Sequence, residues 1–132
     1  MNIEINATRN EGDLEKERVV FKVGLPDDIG TYLVCQGKTT EDNTSISNSI
    51  RRVFWFPDAG VTTGDLVILY TKNGVNKKKK NSNGLTSHFF YWSLAAPIWN
   101  EKNSAVVLMK VDEFESQILA TPGDIEEVDS PG

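Results

Sequence analysis

FWFPDAGVTTGDLVILYTKNG, residues 54–74, passes from strand-forming to chain-turning residues and back within one short span. Its aromatic run ends at Pro57, which has no N–H to give to a ladder and so marks a strand end or an edge. Gly64 and Asp65 then supply a turn. Glycine tolerates a positive φ, and the aspartate carboxylate can accept a backbone N–H. The run DLVILY (65–70) is apolar on both of its sides, the pattern of a central strand covered from above and below.

The same grammar extends in both directions. Further β-prone runs are RVVFKV (18–23), TYLVCQ (31–36), IRRVFWF (50–56), HFFYWSL (88–94) and AVVLMKV (105–111). The segments between them are rich in Pro, Gly, Asn, Asp, Ser and Thr. No helix-length stretch shows i, i+3, i+4 apolar spacing, although VDEFESQIL (111–119) has the makings of a short amphipathic turn. The expected fold is all-β, an antiparallel sandwich of about seven to nine strands. Residues 18–111 form this domain. Residues 1–17, rich in Asn and acid, are expected to be a loose arm in which Ile3 and Ile5 pair on a sheet edge. Residues 112–132 are expected to be an acidic tail, disordered beyond its helical turn.

Charge follows this division. The chain has a net charge of −5, yet residues 112–132 hold seven acids and no base, which leaves residues 1–111 at +2. No apolar run approaches the length of a membrane span. The polar N-terminus lacks the basic-then-apolar layout of a signal peptide, which predicts a cytoplasmic chain. A single cysteine, Cys35, excludes an internal disulfide and reads as a small core residue.

Catalytic patterns are lacking. His88 has no second His, and Cys35 no second Cys, with which to build a transition-metal site, so no cofactor is expected. Ser87 and His88 are strand neighbours that point to opposite sides, which is poor geometry for proton transfer. The pairs Asp27-Asp28 and Glu41-Asp42 lie in turn-like segments and read as solvated loop charges. The expectation is a binding module and not an enzyme.

The stretch 54–74 resembles the central part of lamin-tail domains. The resemblance is carried by Phe54, Phe56 and Pro57, the Gly64-Asp65 pair and the strand Leu66 to Tyr70 before a variable loop. Trp99, Asn100 and Val106 to Leu108 are similar to the family's tryptophan-asparagine turn and last strand, while Glu17 and Tyr32 match its opening strands loosely. The chain resembles a standalone, bacterial-type member of the family. That likeness implies an immunoglobulin-like sandwich acting as an attachment module for a protein partner.

Arg, Tyr and Trp dominate interface hot spots, so Arg51, Arg52, Trp55, Tyr91, Trp92 and Trp99 are the candidate partner contacts. In IRRVFWF, Arg51, Val53 and Trp55 share one side, which we place outward; the reverse arrangement is the alternative. In HFFYW, Phe89 and Tyr91 share one face and His88, Phe90 and Trp92 the other. Either one set fills the core while the other is capped, or one set is an exposed contact surface. The alternative function is nucleic-acid binding, with Lys72, Lys77, Lys78, Lys79 and Lys80 on phosphates. The lysine run reads first as the solvated tip of a hairpin joining DLVILY to HFFYW, with Asn73-Gly74 and Asn83-Gly84 as its turns. The acidic tail offers those lysines an intramolecular partner. Self-association through sheet edges, as a monomer or weak homo-oligomer, completes the set.

Overall fold

The β-prone runs become ten strands in the computed structural model, which describes residues 1–120. They are β1 (Ile3–Arg9), β2 (Arg18–Val23), β3 (Asp27–Asp28), β4 (Tyr32–Thr39) and β5 (Ile46–Trp55), followed by β6 (Gly60–Val61), β7 (Leu66–Tyr70), β8 (Lys77–Lys80), β9 (Thr86–Tyr91) and β10 (Ser104–Lys110). Among the described residues the only helical element is a 3-10 turn, Ile29–Thr31. The fold is all-β, as the alternation of runs and turns requires.

A five-stranded sheet in the order β1-β2-β7-β9-β8 faces a three-stranded sheet in the order β10-β4-β5, and β3 and β6 form a two-residue pair beside them. The core lies between the sheets. Ile3, Val19, Phe21, Val67, Leu69 and Phe90 from the larger sheet pack into one cluster with Tyr32, Val34 and Leu108 from the smaller. Phe56 sits in the middle, meeting Phe21, Phe54 and Phe90 edge-on at centroid distances of 5.9, 5.2 and 5.1 Å. Such edge-on pairs add about 0.5–1.5 kcal/mol each beyond their buried area. Strand alternation explains the selection: Phe54 turns inward while Val53 and Trp55 turn outward.

Several sequence expectations are corrected. Residues 1–17 are not a loose arm, although Ile3 and Ile5 do pair on a sheet edge as expected. Ile3 pairs with Val23 and is fully buried, so β1 closes one edge of the large sheet. Glu17 is fully buried as well, because its carboxylate accepts four hydrogen bonds: from the N–H groups of Gly12, Ile98 and Trp99 at 2.9, 3.0 and 3.1 Å and from the Thr71 hydroxyl at 2.5 Å. The expected helical turn at 111–119 is absent, and 112–120 is exposed and without regular structure; the predicted disordered end, from 121, lies outside the described residues. Finally, the lysine run is not a hairpin tip. It is the edge strand β8, antiparallel to β9, and β9 runs parallel to β7. The chain leaves β7, passes outside the place of β9, and returns between β7 and β8 through the Asn83-Gly84 turn, where Gly84 has φ +83°. A parallel pair needs such a crossover, which a simple hairpin cannot provide.

Asp27 and Asp28 are also structural and not free loop charges. Asp28 accepts the N–H groups of Gly30 and Ala59 at 2.8 and 3.0 Å, which caps the 3-10 turn. Asp27 accepts from the Tyr32 hydroxyl at 2.7 Å and Lys110 Nζ at 3.0 Å. Burial alone would raise the Asp27 pKa, but these bonds and the Asp28 N–H outweigh it and hold the carboxyl at about 2. Burial, reinforced by Asp27, pushes the Tyr32 phenol up to about 12.

Two predictions follow from these carboxylates. Glu17→Gln puts an amide N–H₂ against donors that need an acceptor, so it should cost at least ~2 kcal/mol in urea unfolding, with an unchanged m-value. A folded pKa below the unfolded one gives stability that is present above the unfolded value and lost as pH falls through the folded one. Asp27 therefore contributes about 2 kcal/mol at neutral pH that disappears between roughly pH 4 and pH 2. Urea midpoints measured across that window should fall less steeply in Asp27→Asn than in the natural chain.

Candidate nucleic-acid interface

Register decides which side chains share the outer face of the five-stranded sheet. Val67 and Leu69 of β7 enter the core, so Leu66, Ile68 and Tyr70 face out. Tyr70 lies opposite Arg18 on β2 and Tyr91 on β9, and Ile68 lies opposite Phe89. Across the next ladder Lys77 lies opposite Phe89 and Lys79 opposite Ser87. One face thus carries three half-buried rings, Tyr70, Phe89 and Tyr91, with cations on both flanks.

The rings are ordered against one another. Tyr70 and Tyr91 stack with centroids 5.5 Å apart and planes 13° apart, and Tyr70 and Phe89 stack at 6.4 Å and 25°. Lys72 Nζ stands 5.2 Å from the Tyr70 centroid, the Arg18 guanidinium 5.8 Å from it, and Lys77 Nζ 5.9 Å from the Phe89 centroid. Together Tyr70, Lys72, Lys77, Lys79, Phe89 and Tyr91 line an open groove of about 410 Å³. Arg9 and Lys22 extend the basic character along β1 and β2, against Glu4 opposite Lys22 and Glu15 at 3.8 Å from Lys72. Gly74 makes this packing possible, because a Cβ there would come within 2.4 Å of the Tyr91 ring.

The strand geometry divides the lysines named from sequence. Lys72, Lys77 and Lys79 belong to the aromatic groove, whereas Lys78 and Lys80 lie opposite His88 and Thr86 on the other side of β8. The charge is therefore spread over a sheet face and is not concentrated at a loop tip. Phe89, which the sequence placed on one face with Tyr91, completes the groove together with Tyr70 and Arg18, which were not among the residues picked out by sequence. The signal that would have found them is the shared parity of DLVILY and HFFYW, but using it requires the pairing of β2, β7 and β9.

The six candidate partner contacts do not form one surface. Arg51 and Arg52 are tied to Glu101 at 3.3 and 3.2 Å, and Arg52 also donates to the buried Gln36 side chain at 2.6 Å. Trp55 is exposed on the outer face of the other sheet, where its Nε1 donates to the Gly30 carbonyl at 2.7 Å. Trp99 is buried in the core, and Trp92 packs against it at 6.1 Å. Only Tyr91 lies in the aromatic groove.

Beneath the groove, Asp65 joins the turn to β9. It accepts the N–H groups of Thr62 and Thr86, each at 3.1 Å, and His88 Nε2 at 2.9 Å, with both side chains almost fully buried. Burial opposes ionisation of Asp65, yet the bonds from His88, Thr62 and Thr86 prevail and lower its pKa. Ser87, on the opposite side of β9, accepts from Asn81 Nδ2 at 3.0 Å. Cys35 is buried, which pushes its thiol pKa up. No group of His, Cys, Asp and Glu among the described residues is arranged to hold a metal ion. No helix among them is long and apolar enough to cross a membrane.

No protein-family model matches the chain, and no curated protein matches it. Its chemistry is therefore read from the face itself.

Proposed function

We propose that this chain is a non-catalytic binding module that takes a single-stranded nucleic acid on the outer face of its five-stranded sheet. The observation that carries the reading is the Tyr91–Tyr70–Phe89 stack with Arg18, Lys72 and Lys77 over its rings. Bases stack on aromatic side chains for about 1–3 kcal/mol each, whatever their sequence. Cations within reach of the same rings would swing to the phosphates. From β7 to β8 the face spans about 10 Å, enough for two or three unstacked bases. A duplex keeps its bases stacked on each other, so the rings would gain little from it.

In this reading the sandwich is immunoglobulin-like and of lamin-tail type, and the chain works in the cytoplasm. Support for the family lies in Gly64, whose φ of +89° suits its turn, and in Asp65, which binds that turn's Thr62 N–H. The attachment role implied by the likeness is then directed at a nucleic acid. Attachment to a protein through Arg51, Arg52, Trp55, Tyr91, Trp92 and Trp99 is the weaker reading, because the core takes Trp99 and Glu101 engages both arginines.

Fluorescence anisotropy of a labelled single strand and of the matching duplex, at low and moderate salt, tests the proposal. The single strand should bind more tightly, with an affinity that falls as salt rises. Tyr70→Ala should weaken binding roughly tenfold. Replacing Lys72, Lys77 and Lys79 by Ala should reduce the salt slope by about 2. The paired Lys78→Ala and Lys80→Ala changes should alter it less. Absence of salt-sensitive binding at micromolar protein would overturn the reading.

A further inference from the structure

The outer face of the smaller sheet ends in an aromatic corner. Trp55, the last residue of β5, is 47% exposed there, and its Nε1–H donates to the Gly30 carbonyl at 2.7 Å, which orients the indole. Phe114, beyond β10, stands against it with ring centroids 4.8 Å apart and planes at 87°. Phe114 is itself 66% exposed, so neither ring is taken up by the core. The two rings line a groove of about 570 Å³, a volume within the range of small-molecule sites. Pro57 and Val111 extend its apolar wall.

The charges of this groove have one sign. Asp58 and Asp112 line it, and no lysine or arginine does. Asp58 lies against Gly30: a Cβ there would come within 2.0 Å of Asp58 Oδ1, so only glycine leaves the carboxylate its place. Asp58 also borders the neighbouring groove of Lys77 and Lys78, yet neither Asp58 nor Asp112 is in an ion pair among the described residues. Lys110, the basic residue at the end of β10, is tied to Asp27 at 3.0 Å. Residues 112–132 contain no base that could neutralise the site. An exposed aromatic corner with two uncompensated carboxylates is complementary to a cation.

We propose that this corner binds the trimethylammonium head of a small molecule. Ring faces attract cations through their quadrupoles, most strongly at Trp. Two rings at right angles bound a rounded, tetrahedral head on two sides, whereas a flat guanidinium stacks on one face at a time. The methyl groups of such a head have no N–H to satisfy, and they gain from leaving water against Trp55, Phe114 and Val111. A primary ammonium is strongly hydrated and would draw on the carboxylates alone. Asp58 and Asp112 supply the long-range attraction and the rings supply the selectivity. None of these residues belongs to the Tyr70 groove on the other sheet, so this proposal and the nucleic-acid reading fail independently.

Titration of tetramethylammonium chloride into the isotope-labelled full chain, followed on the indole N–H resonances of its three tryptophans, tests it. The Trp55 resonance should move along a saturable curve at millimolar concentrations. Those of Trp92 and Trp99, which pack against each other away from the groove, should stay still and report an intact fold. Sodium chloride at equal ionic strength should leave Trp55 unmoved, and guanidinium chloride should bind more weakly. Phe114→Ala, at an exposed position outside regular structure, should raise the dissociation constant roughly threefold, and Asp58→Asn with Asp112→Asn roughly tenfold. A Trp55 shift that never saturates, or that sodium reproduces, would overturn the site, as would a dissociation constant indifferent to these variants. Guanidinium binding as tightly as tetramethylammonium would overturn the assignment of the head. A peptide bearing one trimethylated lysine should bind no more tightly than tetramethylammonium; a clearly tighter peptide would overturn the small-molecule source.

Discussion

The Glu17 carboxylate is the interaction on which most of the structure depends. It is fully buried without a cation, and its charge is balanced by four donors from three separate segments of chain. Gly12 belongs to the β1–β2 connection, Thr71 follows β7, and Ile98 and Trp99 lie in the long connection from β9 to β10. A buried carboxylate is costly unless its lone pairs are filled, so each of these segments is held where its donor must be. The backbone reinforces the tie, with Thr71 N donating to the Glu17 carbonyl at 3.3 Å. Two consequences matter for the surface. β1 is fixed as an edge, and the chain leaves β7 at a defined place, immediately before Lys72.

From that exit the path through Gly74 to β8 determines what the outer face displays. Because β9 returns between β7 and β8, aromatic Phe89 and Tyr91 are set between Tyr70 on one side and Lys77 and Lys79 on the other. An antiparallel hairpin from β7 to β9 would have left the lysines at a tip, away from the rings. Lysines on β8 also protect an exposed sheet edge from pairing with another chain. The same residues thus keep this edge soluble and supply the charge of the groove. On the smaller sheet, the edge strand β5 exposes Ile46, Ile50, Val53 and Trp55.

Much of the fold was legible from the sequence because strand alternation and turn chemistry are local. The run DLVILY lies in the middle of its sheet as its two apolar sides required, and Trp55 faces out while Phe54 and Phe56 enter the core. What was not legible depends on partners distant in sequence. Glu17 looks like one more acid in a polar arm until Ile98 and Trp99, some eighty residues away, are brought to it. Asp27 and Asp28 look like solvated turn charges until Lys110 and Ala59 arrive. The aromatic groove was half visible, since its lysines and the Phe89–Tyr91 parity could be read locally. The parallel pairing that unites them could not, because no local signal separates a crossover from a long hairpin when both begin and end with Asn-Gly.

Backbone amide shifts recorded while a short single-stranded oligonucleotide is titrated into the isotope-labelled chain would locate its binding face residue by residue. The largest changes should fall on Arg18, Tyr70, Lys72, Lys77, Phe89 and Tyr91, while Val53, Trp55 and Met109 on the opposite sheet stay unmoved. Changes confined to the smaller sheet, or absent from the ring-bearing positions of β7 and β9, would contradict the aromatic groove as that face.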